Sequence, residues 1–381
     1  MNNVHRQKIL ITDGGNVNTL GIIRHLGILD RFEIHVIGYN KAGICRFSKY
    51  CKTFYIFPSA KKSGFLHELL ALLAREKFDF AMPVGFYAYK VFVANKELVE
   101  KHTRVCLPDS RSFDIASSKT QTREVAMGVG VKAPLTYSFT QLQEVERAAI
   151  RSFPVVIKSQ KEIGGRMVDY AHDQQDLISK YKQMVSRHHL EPDSFPIVQE
   201  YISGPGVGFF AYYDHGKMVR YFMHERVREF PVSGGRSVCA KSIYDEELFK
   251  AGKSLLDALR WNGCAMVEFK RTAAGEFYLL EINPKLWGSL ELALSCGINF
   301  PLYMIDAPKE TDSANNYPTG IYFQWILNGE CYYFINRPWK LFSIVATAFK
   351  SHKDIWFRDL KPNVIQFFLA FLDLYKFIRA K

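Results

Sequence analysis

The N-terminal part of the chain alternates short apolar runs with segments whose apolar positions recur at helical spacing. Residues 8–12, 33–38 and 79–84 have strand character, while residues 17–29 and 65–77 repeat apolar side chains every three or four positions. This βαβ rhythm predicts a parallel sheet covered by helices. Residues 11–16, ITDGGN, form a strand-to-helix turn of the kind that faces ligands in such sheets, although the full G-x-G-x-x-G pattern is missing. Two readings stand side by side for it, a tight connection and a substrate contact.

The rhythm changes near Asp109. A helix ended by glycine and then proline is followed by an apolar strand at 153–157, a glycine turn at 162–166, a strand at 167–171, a helix at 174–187 and a strand at 196–202. Short strands around one helix describe a small α+β lobe. From Gly204 onwards come strand-like segments at 208–213 and 217–224, a helix at 245–261, an apolar hairpin at 264–284 and a helical stretch at 289–295. The expected organisation is therefore mixed α/β and α+β: an N-terminal parallel-sheet domain (1–108), a small lobe (109–203), a larger lobe carrying the hairpin (204–316) and an aromatic-rich, helical C-terminal extension (317–381).

Composition narrows the class without choosing a function. With 48% hydrophobic and 23% charged residues over 381 positions the chain reads as globular. A formal charge of +12 favours anionic ligands in general. The sequence has no Lys/Arg block interleaved with stacking aromatics, which argues against a nucleic-acid module. Seven cysteines without a C-x-x-C pair, and histidines without metal-ligand spacing, argue against structural zinc and fit a cytoplasmic setting.

The most informative stretch is CAMVEFKRTAAGEFYLLEINPKLWGS. With a turn centred between Ala274 and Gly275, Glu268 and Glu281 face each other across a β-hairpin, and Asn283 projects from the same face. Two carboxylates about 5 Å apart repel by roughly 3 kcal/mol at an effective dielectric of 20, so a cation is expected between them. Two carboxylates and an amide suit hard, octahedral Mg2+ shared with phosphate oxygens, with Mn2+ as a substitute.

Upstream, Lys119 opens a helix after two serines, and Lys158 closes a buried strand ahead of Gly164 and Gly165. Lys119 reads either as a solvated surface lysine or as one that meets an anion at its helix N-terminus, and Lys158 beside a glycine turn has the geometry for gripping phosphates. Downstream, HERVREFPVSGGRS carries Arg226, Arg228 and Arg236 around an apparent Pro/Gly-rich loop, where guanidinium forks would grip a carboxylate or an acyl phosphate.

Together, in this order, these elements resemble the ATP-grasp superfamily over Lys119 to about Tyr303. The resemblance implies that Lys119 and Lys158 bind ATP phosphates, that Gly164 and Gly165 belong to a flexible loop, that Glu200, Tyr201 and Ile202 form the adenine-binding strand between lobes, and that Glu268, Glu281 and Asn283 hold magnesium. Lys285 stands where the family commonly has arginine, and the run Gly204-Pro205-Gly206-Val207-Gly208 departs from the family's acidic ribose contact. The implied activity is ATP-dependent ligation of a small-molecule carboxylate to an amine through an acyl phosphate. A non-catalytic ATP sensor and a carboxylating or thioester-forming enzyme are the alternatives. Outside the resemblance, the extension leaves two partner arrangements open: packing onto the core or a second subunit, giving a homodimer, and an amphipathic helix resting peripherally on an anionic membrane.

Overall fold

The computed structural model describes residues 6–160, 167–231, 235–308 and 316–379. Three sheets organise it. The N-terminal strands β1 (Gln7–Ile11), β2 (Phe32–Gly38), β3 (Thr53–Ile56) and β4 (Phe80–Met82) pair in parallel in the order β3-β2-β1-β4. Their apolar runs are buried on both faces by helices that include Val17–Gly27 and Gly64–Glu76. Strand β3 was not legible beforehand, because its residues are only partly buried at the sheet edge and carry no clean alternation.

The small lobe is an antiparallel sheet of β5 (Thr136–Tyr137), β6 (Val155–Lys158), β7 (Val168–Ala171) and β8 (Ile197–Glu200), ordered β5-β8-β6-β7. Helix Gln174–His188 covers it, burying Leu177, Tyr181 and Met184 against Val155, Ile157 and Val198.

The large lobe carries β9 (Gly206–Asp214), β10 (Lys217–Phe230), β11 (Arg236–Ser242), β12 (Gly263–Arg271), β13 (Phe277–Asn283), β14 (Tyr322–Gln324) and β15 (Ser351–Lys353) in one sheet, ordered β13-β12-β9-β10-β11-β14-β15. Period-two alternation sends Phe209, Ala265 and Val267 toward helix Glu246–Ala258, while Phe210, Cys264 and Met266 pack toward the N-terminal domain. The extension beyond residue 317 thus adds two strands to this sheet as well as helices. It also docks on the N-terminal domain, where Arg24 pairs with Asp359 at 2.9 Å with both side chains almost fully buried.

Candidate nucleotide and metal site

The hairpin β12–β13 brings Glu268 opposite Glu281 in register, with Asn283 opposite Met266. The register has a different origin from the symmetric turn expected. Arg271, Lys270 and Phe269 pair with Phe277, Tyr278 and Leu279, so the turn is centred on Ala274. A one-residue irregularity beyond Leu279 then brings the two glutamates opposite each other. Glu268 and Asn283 are nearly buried, and Asn283 Nδ2 donates to Glu281 Oε1 at 3.1 Å.

Cations surround the pair. Lys119 Nζ lies 2.9 Å from Glu281 Oε2, and Arg226 Nη2 lies 2.7 Å from Glu268 Oε2. Lys119 is the first residue of helix Lys119–Gly128, which Ser118 caps, and its backbone N–H donates to Gln160 O at 3.1 Å, just past the end of β6. Lys158, the last residue of β6, is buried. Burial, aided by Lys119, lowers its pKa to about 8, opposed by the pull of Glu281 and Glu268.

The two carboxylates respond in opposite directions. Burial would raise Glu281, but Lys119 and Lys158 outweigh it, with hydrogen bonds from Lys119 and Asn283, and hold it at about 2. For Glu268 burial prevails over Arg226, and its pKa is raised. Arg226 reaches Glu268 from two strands away across Gly206 of β9, which has no side chain in its path. A Cβ on Gly206 would sit 3.0 Å from Arg226 Cδ. The glycine run that departs from the family's ribose motif therefore makes room for this guanidinium.

The three arginines expected on a loop lie on strands instead, and they separate. Arg226 pairs with Ala240 but Arg228 with Cys239, so Val227 is an extra residue that breaks the alternation. As a result Arg228 turns away from the facing carboxylates. Its guanidinium bonds Glu330 at 2.6 Å and Thr347 Oγ1 at 2.8 Å within the extension, with both charged side chains buried. Arg236 opens β11 at an exposed position, its Nε beside Gly329. Lys285 is half-buried in the turn after β13, and Trp287 packs between Phe210 and Phe300 as core.

Glu200 also differs from expectation. It pairs with Val155, on the sheet face that carries helix Gln174–His188 and opposite to Lys158. Its carboxylate accepts from Leu135 N–H at 3.1 Å and lines a cavity of about 150 Å3 with Tyr137, Ile150 and Arg151. The side chain thus braces the lobe. Tyr201 is 40% exposed with its ring edge-on to Tyr170, and Ile202 is buried. Gly164 and Gly165 lie outside the described residues.

Two residues near the site gave no sequence signal. Glu229 lies 3.4 Å from Arg226. His224, opposite Gly208, is fully buried with neither ring nitrogen hydrogen-bonded, and burial lowers its pKa to about 3, so it is neutral.

Among the described residues no group of three or more His, Cys, Asp or Glu is placed to hold a metal ion by itself. Two facing carboxylates with an amide instead fit a hard divalent cation whose shell is completed by phosphate oxygens and water.

Residues 196–327 match the family described as "ATP-grasp in the biosynthetic pathway with Ter operon". Over this stretch the chain is similar to ATP-grasp proteins. The match holds the strand after Phe195, the arginine strand β10 and the whole β12–β13 hairpin. Among curated proteins, the chain is 23% identical over 186 residues to the carbamoyl phosphate synthase large chain of Vibrio cholerae, covering 47% of the chain and 17% of that protein. It is 22% identical over 249 residues to the C-terminal section of the large chain from Aquifex aeolicus, covering 62% and 45%. The chain thus spans less than half the length of either relative. Among solved structures, the biotin carboxylase domain of Hydrogenobacter thermophilus 2-oxoglutarate carboxylase superposes with a TM-score of 0.66 at 15% identity, covering 84% of this chain and 74% of that one. An L-amino acid ligase from Bacillus licheniformis gives 0.64 at 14% identity, covering 81% and 77%.

Proposed function

We propose that the chain is an ATP-dependent ligase that phosphorylates a small-molecule carboxylate and passes the acyl group to an amine. The observation that carries this reading is the facing pair Glu268 and Glu281, enclosed by Lys119, Lys158 and Arg226. Lys119 and Lys158 bind and orient the nucleotide phosphates from the small-lobe side. Glu268, Glu281 and Asn283 would hold Mg2+, or Mn2+ in its place, which when bound neutralises phosphate charge. Arg226 fixes the Glu268 carboxylate, and the connection through Tyr201 and Ile202 offers backbone groups to the adenine.

In the reaction a carboxylate oxygen attacks the γ-phosphorus, the bond to the β–γ bridging oxygen breaks, and ADP leaves. The amine nitrogen then attacks the acyl carbon, phosphate departs with the C–O bond electrons, and the amine sheds a proton. Such transfer needs positioning and charge neutralisation rather than a nucleophilic side chain, in keeping with the residues gathered here. Two neighbours set the substrate panel: the structure of one carboxylase domain was determined with MgADP and bicarbonate, and another neighbour is named as an amino acid ligase.

The test is incubation with ATP, Mg2+ and pooled carboxylates, bicarbonate included, with hydroxylamine as amine. Carboxylate-dependent phosphate release together with hydroxamate is expected. Binding of ATP without release under every acid supports the sensor alternative. Turnover confined to bicarbonate supports the carboxylating one. Folded Glu268→Ala and Glu281→Ala proteins should lose about 100-fold or more in rate, and normal ADP formation by both removes the metal assignment.

A further inference from the structure

The C-terminal extension turns its helices inside out. Helix Leu360–Arg379 buries the polar Asn363 and Gln366, which bond Arg24 at 2.6 Å and Asn328 at 3.4 Å, while Leu360, Val364, Phe367, Phe368, Phe371 and Leu372 face solvent. Helix Leu341–Ala348 is apolar along most of its length yet buries none of its residues. Phe342 near its start and Phe349 just beyond its end are 88% and 89% exposed, and Trp339 and Phe357 are 70% and 83% exposed. Thirteen of the 22 exposed large apolar side chains among the described residues fall between positions 339 and 372. Soluble surfaces scatter such residues singly, and a helix in water normally shows its polar face outward.

The charges of this stretch are sorted in the same sense. Its acids between positions 331 and 372, Asp354 and Asp359, are buried. Asp359 pairs with Arg24, and Asp354 accepts from Asn328 and the backbone of Leu327. Lys340, Lys350, Arg358 and Lys361 are all exposed. What faces outward is therefore aromatic and cationic, without an exposed acid among the described residues of that stretch.

We infer that this extension seats the protein on an anionic lipid bilayer, with Trp339, Phe342, Phe349 and Phe368 entering the boundary between headgroups and acyl chains and the four exposed cations meeting lipid phosphates. No helix among the described residues is long and apolar enough to cross a membrane, so the association is with the surface. Charge selects lipid over a second copy of the chain. A two-fold contact through this patch would set its cations against their own copies with no exposed acid among its described side chains at 331–372 to offset them, whereas an anionic leaflet supplies the counter-charge.

The test floats the full chain with vesicles of phosphatidylcholine alone and with vesicles containing about one-third phosphatidylglycerol. Flotation with the anionic vesicles only, weakened at about 0.5 M salt, is expected. Phe342→Ser with Phe349→Ser should weaken binding by about tenfold or more while leaving elution volume and unfolding temperature unchanged, because neither side chain is buried. Lys340→Glu with Lys350→Glu should weaken it by about fivefold or more per site. Failure to float with anionic vesicles, or equal flotation with both kinds, overturns the inference. So does a chain that is dimeric in solution, ignores vesicles and becomes monomeric in the serine variant, since the patch is then a self-contact.

Discussion

Lys158 shows how the cleft tunes a single residue. Burial and the neighbouring Lys119 bring its pKa to about 8, so the empty site loses this charge as pH rises through that value, whereas bound phosphates favour the proton. ATP affinity should therefore be level below about pH 8 and weaken by up to about tenfold per pH unit above it, as titration calorimetry across pH 7 to 10 would record. Lys158→Arg should flatten that profile. Folding runs the other way: the unfolded lysine keeps its ordinary pKa, binds more protons between about pH 8 and 10.5, and makes the lysine's contribution to stability rise with pH over that window. Arg228 is the second informative residue. Its side chain and that of Glu330 are each 4% exposed, so Arg228→Ala strands a buried carboxylate and should cost about 3–5 kcal/mol in denaturant unfolding, while Arg228→Met with Glu330→Leu should recover most of it. Reading the sequence by type grouped Arg228 with Arg226. Nothing in the residue order reveals a bulge at Val227, because the extra residue is decided by what the neighbouring strand offers for pairing.

At the scale of elements, the hairpin was legible and its turn was not. Alternation alone puts Glu268, Glu281 and Asn283 on one face, because side chains repeat every two residues. The compensation between an off-centre turn and the irregularity beyond Leu279 leaves that outcome intact. The connection from β8 to β9 depends on Gly204, whose φ of +134° suits glycine alone and whose missing Cβ would fall 1.9 Å from Arg271 O. Gly204→Ala should lower the unfolding temperature by several degrees and loosen the anchoring of the hairpin, checked by thermal melts and amide exchange at Arg271 and Thr272. Glu200 teaches a related point. An acid beside the expected adenine strand suggested a base contact, yet a two-residue period places it on the helix side, where it satisfies Leu135 N–H.

At the scale of the whole molecule, the extension is part of the architecture as well as an outward surface. It completes the large sheet through β14 and β15 and neutralises Arg24 of the N-terminal domain with Asp359, which also accepts from Ser48 and from Lys49 N–H. A chain ended at residue 316 should therefore leave Arg24 buried without its partner and the edge of β11 open, and should aggregate or unfold at markedly lower temperature in size-exclusion and melting experiments. The sequence by itself determined the alternation of elements and the placing of two carboxylates and an amide on one face of a hairpin, since these follow from local periods of two and three to four residues. Only the tertiary structure decided which arginine reaches the facing carboxylates, that Gly206 in β9 makes room for it, and that an apolar tail buries its polar side. Those outcomes depend on strand neighbours and docking partners far away in sequence, and no local period encodes them.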